Sequence, residues 1–294
     1  MRRFDGVAPP VATPFRDGEL AEEWLRQNLQ RYSTTGLSGI LVLGSNGEAA
    51  HLSMEEKRTV MEIAREAVPK DLWLMVGTGE ATTRATLSLT REAAQRGADA
   101  VLVAPPFYYK ESMKPDVLRE HYVAVAEGSP IPVLLYNVPQ FTGLNLEASL
   151  VARLAEHPNI VGIKDSSGNI AQLTEIRRLT PQDFDVFVGS ALVFLAALAI
   201  GANGGILAAA NVLPEEFVRL HRLAQEGAWE EARHLQWSLM AISRAVTVEY
   251  GIGGLKAAMD MAGYRGGEAR APLLLPDESG IARLQDLLRP FGRP

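Results

Sequence analysis

Eight short apolar runs, each followed by a longer helical pattern, limit the possible folds of this chain more than any other feature. The runs are rich in Val, Ile and Leu and do not alternate with polar residues, which is typical of parallel strands buried on both faces. The 294 residues accommodate eight strand–helix units, which need about 250 residues. No Gly-x-Gly-x-x-Gly fingerprint opens a helix after the first run, so we predict an α/β fold of the (β/α)8 TIM-barrel type rather than a doubly wound sheet. The runs are Gly6–Ala12, Gly39–Leu43, Leu72–Val76, Ala98–Val103, Val133–Leu135, Ile160–Ile163, Val186–Val188 and Gly204–Leu207.

The helical patterns divide the chain into a barrel and a tail. Ser53 and Glu56 have the spacing of a capping box, which predicts a helix beginning at Met54. After about Asn211, helical patterns follow one another with no strand-like run between them. We therefore predict a barrel domain over residues 1–224 and a C-terminal helical extension over residues 225–294. The predicted helices are Leu20–Thr34, Met54–Ala67, Thr83–Arg96, Lys114–Ala126, Pro214–Gln225, Ala228–Val248 and Gly254–Met261.

Charge and composition restrict the partners of the chain. A formal net charge of −6 argues against nucleic acid, because phosphate binding needs a basic face. The chain has no cysteine, which excludes disulfides, thiolate metal sites and cysteine nucleophiles. Residues 1–7 show no apolar leader, and the longest apolar stretch, Ala191–Ile200, is too short to cross a bilayer, so we expect a cytoplasmic chain with no membrane partner. We predict no metal site, because none of the histidines has metal-ligand spacing: His51, His121, His157, His221 and His234.

The ends of the predicted strands are where chemistry is expected, because the active site of such a barrel lies at the C-terminal face of its strands. Lys164 follows the wholly apolar run Ile160–Ile163. A lysine that enters a barrel interior is costly unless it is paired or neutral, and only the neutral amine attacks a carbonyl carbon. Lys164 is therefore a candidate Schiff-base lysine. The alternative is an ammonium that lies in solvent or pairs with Asp165.

Two other strand ends suit the same chemistry. Tyr136 directly follows the fifth run, next to Lys164 in the predicted barrel wall, and its phenol is suited to relaying a proton. The alternative for Tyr136 is a core tyrosine whose hydroxyl is bound by backbone. The turn Gly44–Glu48 offers hydroxyl, amide and backbone N–H groups to a carboxylate, unless it is an ordinary turn between strand and helix. Within it, we assign Glu48 a structural role in fixing the turn.

Taken together and in order, these motifs resemble the dihydrodipicolinate synthase/N-acetylneuraminate lyase family over essentially the whole chain. The resemblance implies a class I lyase in which Lys164 forms the Schiff base and Tyr136 relays a proton. The two residues are 28 positions apart, since 164 − 136 = 28, as the family pattern requires. The matching motifs are Gly44-Ser45-Asn46-Gly47-Glu48, Tyr136-Asn137-Val138-Pro139 with Thr142-Gly143, Lys164-Asp165 and Gly189-Ser190.

The resemblance also implies how pyruvate is held and how subunits assemble. Ser45 and Asn46 would bind the pyruvate carboxylate, and Gly189 and Ile206 would line the pyruvyl pocket. Tyr108 would reach a neighbouring subunit's site, although Tyr109 is one position away and either of them could instead pack at a subunit contact. Family members are usually tetramers, so we expect a homotetramer built as a dimer of dimers.

One position separates the subfamilies. Dihydrodipicolinate synthases carry an arginine two residues after the proline of the Tyr-Asn-Val-Pro motif, and Phe141 stands there in this chain. An apolar ring cannot bind a carboxylate with two parallel hydrogen bonds, which argues against the synthase. The motifs are more similar to those of 4-hydroxy-2-oxoglutarate aldolase, in which Ser166 would help to bind the substrate. Phe141 departs from that pattern too, so the distal end of the substrate stays open, with apolar and sugar-like ends among the alternatives.

The predicted function is that of a pyruvate-type aldolase. It would cleave or form a carbon–carbon bond of a 4-hydroxy-2-oxo acid, with pyruvate and an aldehyde as small-molecule partners and no cofactor. The iminium on Lys164 would supply the polarisation that a metal supplies elsewhere. Three alternatives remain: a 4-hydroxy-tetrahydrodipicolinate synthase, a sugar-acid dehydratase on the same scaffold, and a non-catalytic ligand-binding barrel. The sequence identifies neither the aldehyde nor the preferred direction.

Overall fold

The computed structural model describes residues 4–293 and has an eight-stranded parallel barrel at its centre. Strands β2 to β8 pair in chain order, and β8 pairs with β1. The predicted (β/α)8 barrel is confirmed, with every predicted strand within a few residues of its predicted bounds. The strands are β1 (Gly6–Ala8), β2 (Gly39–Val42), β3 (Trp73–Gly77), β4 (Ala100–Val103), β5 (Val133–Asn137), β6 (Ile160–Asp165), β7 (Asp185–Val188) and β8 (Gly204–Ile206).

The barrel closes where β1 meets β2. The N–H of Val11 donates to the carbonyl oxygen of Leu41 at 2.8 Å, beyond the end of β1 itself. β1 is shorter than the predicted run Gly6–Ala12, because Pro9 and Pro10 have no N–H group to donate to a ladder. The chain still follows β2 closely enough to complete the wall.

Helices surround the barrel. The capping box is present: the N–H of Glu56 donates to the Ser53 hydroxyl, and the N–H of Ser53 donates to the Glu56 carboxylate. The first helix begins two residues after its predicted start, because Leu20 pairs with Phe15 in a short antiparallel hairpin. The helices are α1 (Glu22–Tyr32), α2 (Met54–Ala67), α3 (Thr83–Gln95), α4 (Pro115–Gly128), α5 (Pro139–Thr142), α6 (Ala148–Leu154), α7 (Ile170–Leu179), α8 (Phe194–Ala199), α9 (Pro214–Gln225), α10 (Trp229–Arg244), α11 (Gly251–Met261) and α12 (Glu278–Leu288).

The C-terminal helices pack on the barrel and share its core. The predicted helix Ala228–Val248 changes from α10 to a π-helical turn at Ala245–Glu249. Beyond α11, the chain returns to the hairpin, where the N–H of Glu268 donates to the carbonyl oxygen of Phe15 at 3.1 Å. The proposed division between residues 224 and 225 falls in the last turn of α9 and remains a prediction.

The findings on membranes and metals concern residues 4–293. None of the helices in this range is both long and apolar enough to span a bilayer. No group of three His, Asp or Glu side chains in the same range is arranged to hold a metal ion. The leader prediction rests partly on residues 1–3, which lie outside the described residues, and the cytoplasmic location also remains a prediction.

Two apolar layers make up the core. Outward-facing strand residues pack against the helices, and inward-facing residues fill the barrel. Phe4 and Trp73 close the N-terminal end, with ring centroids 6.0 Å apart. Gly39 makes room for this packing, since a Cβ there would lie 1.9 Å from the indole of Trp73. With that end filled, the C-terminal ends of the strands are left to carry a site.

Candidate active site

Lys164 and Tyr136 lie side by side in the barrel interior. The two residues are register partners on the neighbouring strands β6 and β5. Tyr136 belongs to the inner apolar cluster, whereas Leu135 packs in the outer layer, as the alternation of strand side chains requires. The Nζ atom of Lys164 lies 4.5 Å from the centroid of the Tyr136 ring. The structure therefore brings together the two residues that the strand ends singled out.

The surroundings of Lys164 favour a neutral amine. Its side chain is 3% exposed, and burial lowers its pKa, although Tyr136 raises the pKa in part. Asp165, the alternative partner of the ammonium, is occupied by amides instead. Asn137 Nδ2 and Gln172 Nε2 donate to its Oδ2 atom at 2.8 and 2.9 Å. A desolvated lysine without a carboxylate loses its proton more readily than a lysine in water, which is what attack on a carbonyl requires.

A strained turn brings Ser45 to the same place. Leu43 and Glu48 are non-glycine residues with left-handed backbone, at φ 56° and 52°, and they flank the 3-10 turn that starts at Ser45. Such conformations cost about 1–3 kcal/mol each and persist only where other contacts hold them. The Ser45 hydroxyl lies 3.3 Å from the hydroxyl of Tyr136, within hydrogen-bond distance. Asn46 follows on the same turn and is half-buried.

Gly189, Ser166 and Ile206 lie around these groups. A Cβ on Gly189 would lie 1.8 Å from the Ser166 hydroxyl oxygen and 3.0 Å from Lys164 Cε. Both side chains therefore stand directly against the backbone of Gly189, a position that only glycine can occupy without a shift. Ile206 is fully buried in the inner cluster with Tyr136. Gly189 therefore places backbone without a side chain directly beside Lys164 Cε and the Ser166 hydroxyl.

Tyr108 is not brought to this site within one chain. Tyr108 and Tyr109 are 78% and 74% exposed, and their rings contact each other at a centroid distance of 5.0 Å. Lys110 of the same loop packs over Gly143, where a Cβ would lie 3.5 Å from Lys110 Cδ. The loop therefore borders the short helix that carries Phe141, which is 62% exposed. The approach of Tyr108 or Tyr109 to a neighbouring subunit, and the homotetramer itself, remain predictions.

A buried ion pair lies behind the Ser45 turn. Glu48 Oε1 is 2.5 Å from the Nζ atom of Lys256, and both side chains are fully buried. The N–H of Arg270 donates to Glu48 Oε2 at 2.9 Å. The sequence patterns predict a structural role for Glu48 but neither of its partners. The one available signal was Lys256 itself, a lysine within an apolar helix pattern, which is the same signal that singled out Lys164 on its strand.

Comparison with known proteins connects these features to one family. The model of the dihydrodipicolinate synthetase family matches residues 3–290. The 4-hydroxy-tetrahydrodipicolinate synthase of Methanothrix thermoacetophila is 39% identical over 287 residues, which cover 97% of this chain and 96% of that protein. Other relatives at 34–38% identity carry the same enzyme name.

Solved structures agree with this result. The dihydrodipicolinate synthase from Aquifex aeolicus superposes with a TM-score of 0.94 at 32% identity, covering 99% of each chain. A prophage protein of the dihydrodipicolinic acid synthase family from Escherichia coli K12, solved in complex with pyruvate, gives a TM-score of 0.93 at 28% identity and covers 99% of each chain. Both comparisons span the barrel and the C-terminal helices together.

Proposed function

The chain belongs to the dihydrodipicolinate synthetase family of pyruvate-dependent carbon–carbon lyases, and we propose that its Schiff base forms on Lys164. The observation that carries the proposal is the environment of this amine, which is buried and paired with no carboxylate among residues 4–293. The ring of Tyr136 lies 4.5 Å away. The pyruvate complex of a structurally similar protein supports pyruvate as the ligand.

In the proposed reaction, the neutral amine of Lys164 adds to the keto carbon of the 2-oxo acid, and loss of water leaves a protonated imine. The positive charge accepts the electron pair that is released when a carbon–carbon bond beside it breaks. Ser45 and Asn46 would bind the substrate carboxylate from the strained turn. Gly189 would leave room for the pyruvyl group next to the imine.

Tyr136 would take the proton of the C4 hydroxyl group while the C3–C4 bond breaks. The electron pair of that bond moves towards the iminium, so the products are an aldehyde and an enamine on Lys164. Protonation of the enamine at C3 and hydrolysis then release pyruvate and restore the free amine. The Ser45 hydroxyl, 3.3 Å from the phenol, would hold Tyr136 in place for the proton transfer. Aldol addition is the same sequence in reverse.

The aldehyde partner has two candidates. The names of the relatives give broader support to 4-hydroxy-tetrahydrodipicolinate synthesis than to the 4-hydroxy-2-oxoglutarate interpretation. Pyruvate and aspartate 4-semialdehyde together supply the carbons and the nitrogen of that product, with loss of one water as the amine closes the ring, so this semialdehyde is the first candidate. Phe141 argues against this candidate, because it removes the guanidinium expected for the carboxylate of the aldehyde, but it supplies no partner for the carboxylate of glyoxylate either. The second reaction splits 4-hydroxy-2-oxoglutarate into pyruvate and glyoxylate.

Product analysis with the purified chain tests the proposal. Pyruvate is supplied with aspartate 4-semialdehyde or with glyoxylate, and 4-hydroxy-2-oxoglutarate and sugar acids are supplied alone. Aldol addition, or release of pyruvate with an aldehyde, is the expected result. A dehydrated 2-oxo acid formed without an aldehyde would instead identify a dehydratase.

Two variants separate the role of Lys164 from a general effect of losing a lysine. Lys164→Met keeps the length of the side chain but removes the amine, and it should abolish turnover. Lys57→Met breaks a partly buried ion pair with Glu80, in which the two charged atoms are 2.5 Å apart, and it should retain turnover. Measurable turnover by Lys164→Met would contradict the proposal.

A further inference from the structure

The turn that carries Ser45 needs support from outside, and the C-terminal extension supplies it. The left-handed residues Leu43 and Glu48 flank this turn and are rarely stable in that conformation without other contacts. Glu48 is the residue of the turn that contacts the C-terminal extension. Its buried carboxylate contacts Lys256 on one oxygen and the N–H of Arg270 on the other.

Lys256 is held on several sides. Its side chain is fully buried in α11, and its Nζ atom lies 2.5 Å from Glu48 Oε1. The same ammonium donates to the carbonyl oxygen of Glu268 at 2.6 Å and lies 4.3 Å from the centroid of the Phe15 ring. A buried ammonium is tolerated only where such partners compensate its lost hydration. Lys256 therefore fixes the position of the Glu48 carboxylate relative to α11.

Arg270 fixes the other side of the same carboxylate. Its guanidinium makes two hydrogen bonds to Glu56, at 2.6 and 3.0 Å, and a third to the carbonyl oxygen of His51 at 3.0 Å. The guanidinium also stacks on Phe15, the ring that Lys256 contacts, with its Cζ atom 4.1 Å from the ring centroid. Because the guanidinium is anchored in this way, the backbone N–H of Arg270 is a fixed donor to the Glu48 carboxylate.

We propose that Lys256 and Arg270 are positioning residues for the substrate carboxylate, which act through Glu48 on the turn that carries Ser45 and Asn46. This inference rests on the proposed function, in which that turn binds the carboxylate. The Ser45 hydroxyl also lies 3.3 Å from Tyr136, so the same support reaches the proton relay. The helical extension is then a part of the pyruvate site rather than a cover for the barrel.

The expected effect of losing this support is on carboxylate binding. Without the ion pair, Glu48 is free to leave its left-handed conformation, and only a fraction of the molecules keeps a competent turn. The apparent affinity falls by that fraction. If about one molecule in ten remains competent, the pyruvate concentration for half-maximal imine formation rises about tenfold, which corresponds to about 1.4 kcal/mol.

Borohydride trapping at graded ketone concentrations measures this effect. Wild type, Lys256→Met and the matched control Lys57→Met are treated with pyruvate, and also with hydroxyacetone, a ketone of similar size that has no carboxylate. Lys256→Met should need about ten times more pyruvate than wild type but the same concentration of hydroxyacetone. Lys57→Met, which loses an ion pair that does not contact the turn, should match wild type with both ketones.

A double variant controls for misfolding, because Lys256→Met removes the lysine partner of the buried Glu48 carboxylate and leaves it with His51 Nδ1, 3.4 Å from its Oε2 atom. Glu48→Gln/Lys256→Met removes both charges, so it leaves no lone buried charge and still lacks the ion pair. It should need at least fivefold more pyruvate than wild type, with trapping of hydroxyacetone unchanged. Trapping of pyruvate by the double variant at wild-type concentrations would overturn the inference, as would an equal shift for both ketones. If wild type itself forms no adduct with pyruvate, the proposed function fails first, and the inference fails with it.

Discussion

Replacing Gly189 with alanine should obstruct the space beside Lys164 without removing any charged or polar group. The added Cβ would lie 1.8 Å from the hydroxyl oxygen of Ser166, 2.8 Å from its Cβ, and 3.0 Å from Lys164 Cε. Both side chains must shift, and overpacking of this kind costs about 1–3 kcal/mol. If this whole cost opposes imine formation, the pyruvate concentration for half-maximal trapping rises roughly five- to 150-fold.

The assay for Gly189→Ala is borohydride reduction at graded pyruvate concentrations, followed by mass spectrometry of the intact chain. The double variant Ser166→Gly/Gly189→Ala removes the hydroxymethyl group that the new methyl group meets, and it should recover part of the lost trapping. Thermal unfolding of each variant separates a local obstruction from general destabilisation. Unchanged trapping by Gly189→Ala would refute the placement of Gly189 against the reacting amine.

Three further predictions concern other groups. Tyr136→Phe keeps the ring against Lys164 but removes the hydroxyl that would relay the proton. The kcat of this variant should fall about 10²- to 10⁴-fold while pyruvate trapping persists. A kcat close to that of wild type would contradict the relay. Phe141→Arg adds a bidentate partner for a carboxylate. It should lower KM about tenfold or more for glyoxylate or aspartate 4-semialdehyde. No change in KM with either aldehyde would place residue 141 away from the aldehyde. Hydrogen bonds from Arg270 lower the pKa of Glu56 from 4.5 to about 2, so its contribution to stability is complete above about pH 4.5 and is lost as pH falls towards 2. Because solvent screens this partly exposed pair, about 1 kcal/mol is involved, and Glu56→Gln should flatten this part of the pH profile of urea unfolding; an unaltered profile would contradict the assignment.

The barrel and its two central residues could be predicted from the sequence for simple geometric reasons. Parallel strands buried on both faces leave continuous apolar runs, and they all end at one face of the barrel. Tyr136 and Lys164 directly follow consecutive runs, so they had to be neighbours, and the register pairs them directly. The capping box at Ser53 likewise located α2 to the residue, because the signal is local.

Contacts between distant parts of the chain could not be predicted in this way. The N–H of Arg270 and the carboxylate of Glu48 are 222 positions apart, and no local pattern links them. Lys256 showed the same signal as Lys164, a lysine in apolar surroundings. Only the packed structure reveals that a carboxylate pairs with Lys256, whereas no carboxylate within residues 4–293 pairs with Lys164. The predicted helix Leu20–Thr34 includes Leu20, whereas the backbone of Leu20 pairs with Phe15 in the hairpin.

The residue to which pyruvate attaches is the decisive observation for the Schiff base on Lys164. The wild-type chain is reduced with borohydride in the presence of pyruvate near neutral pH, digested, and mapped by mass spectrometry. Because burial lowers the pKa of Lys164, we expect one reduced pyruvyl group, on the peptide that contains Lys164, and none on Lys164→Met. An adduct on another lysine, or no adduct at all, would contradict the Schiff base on Lys164.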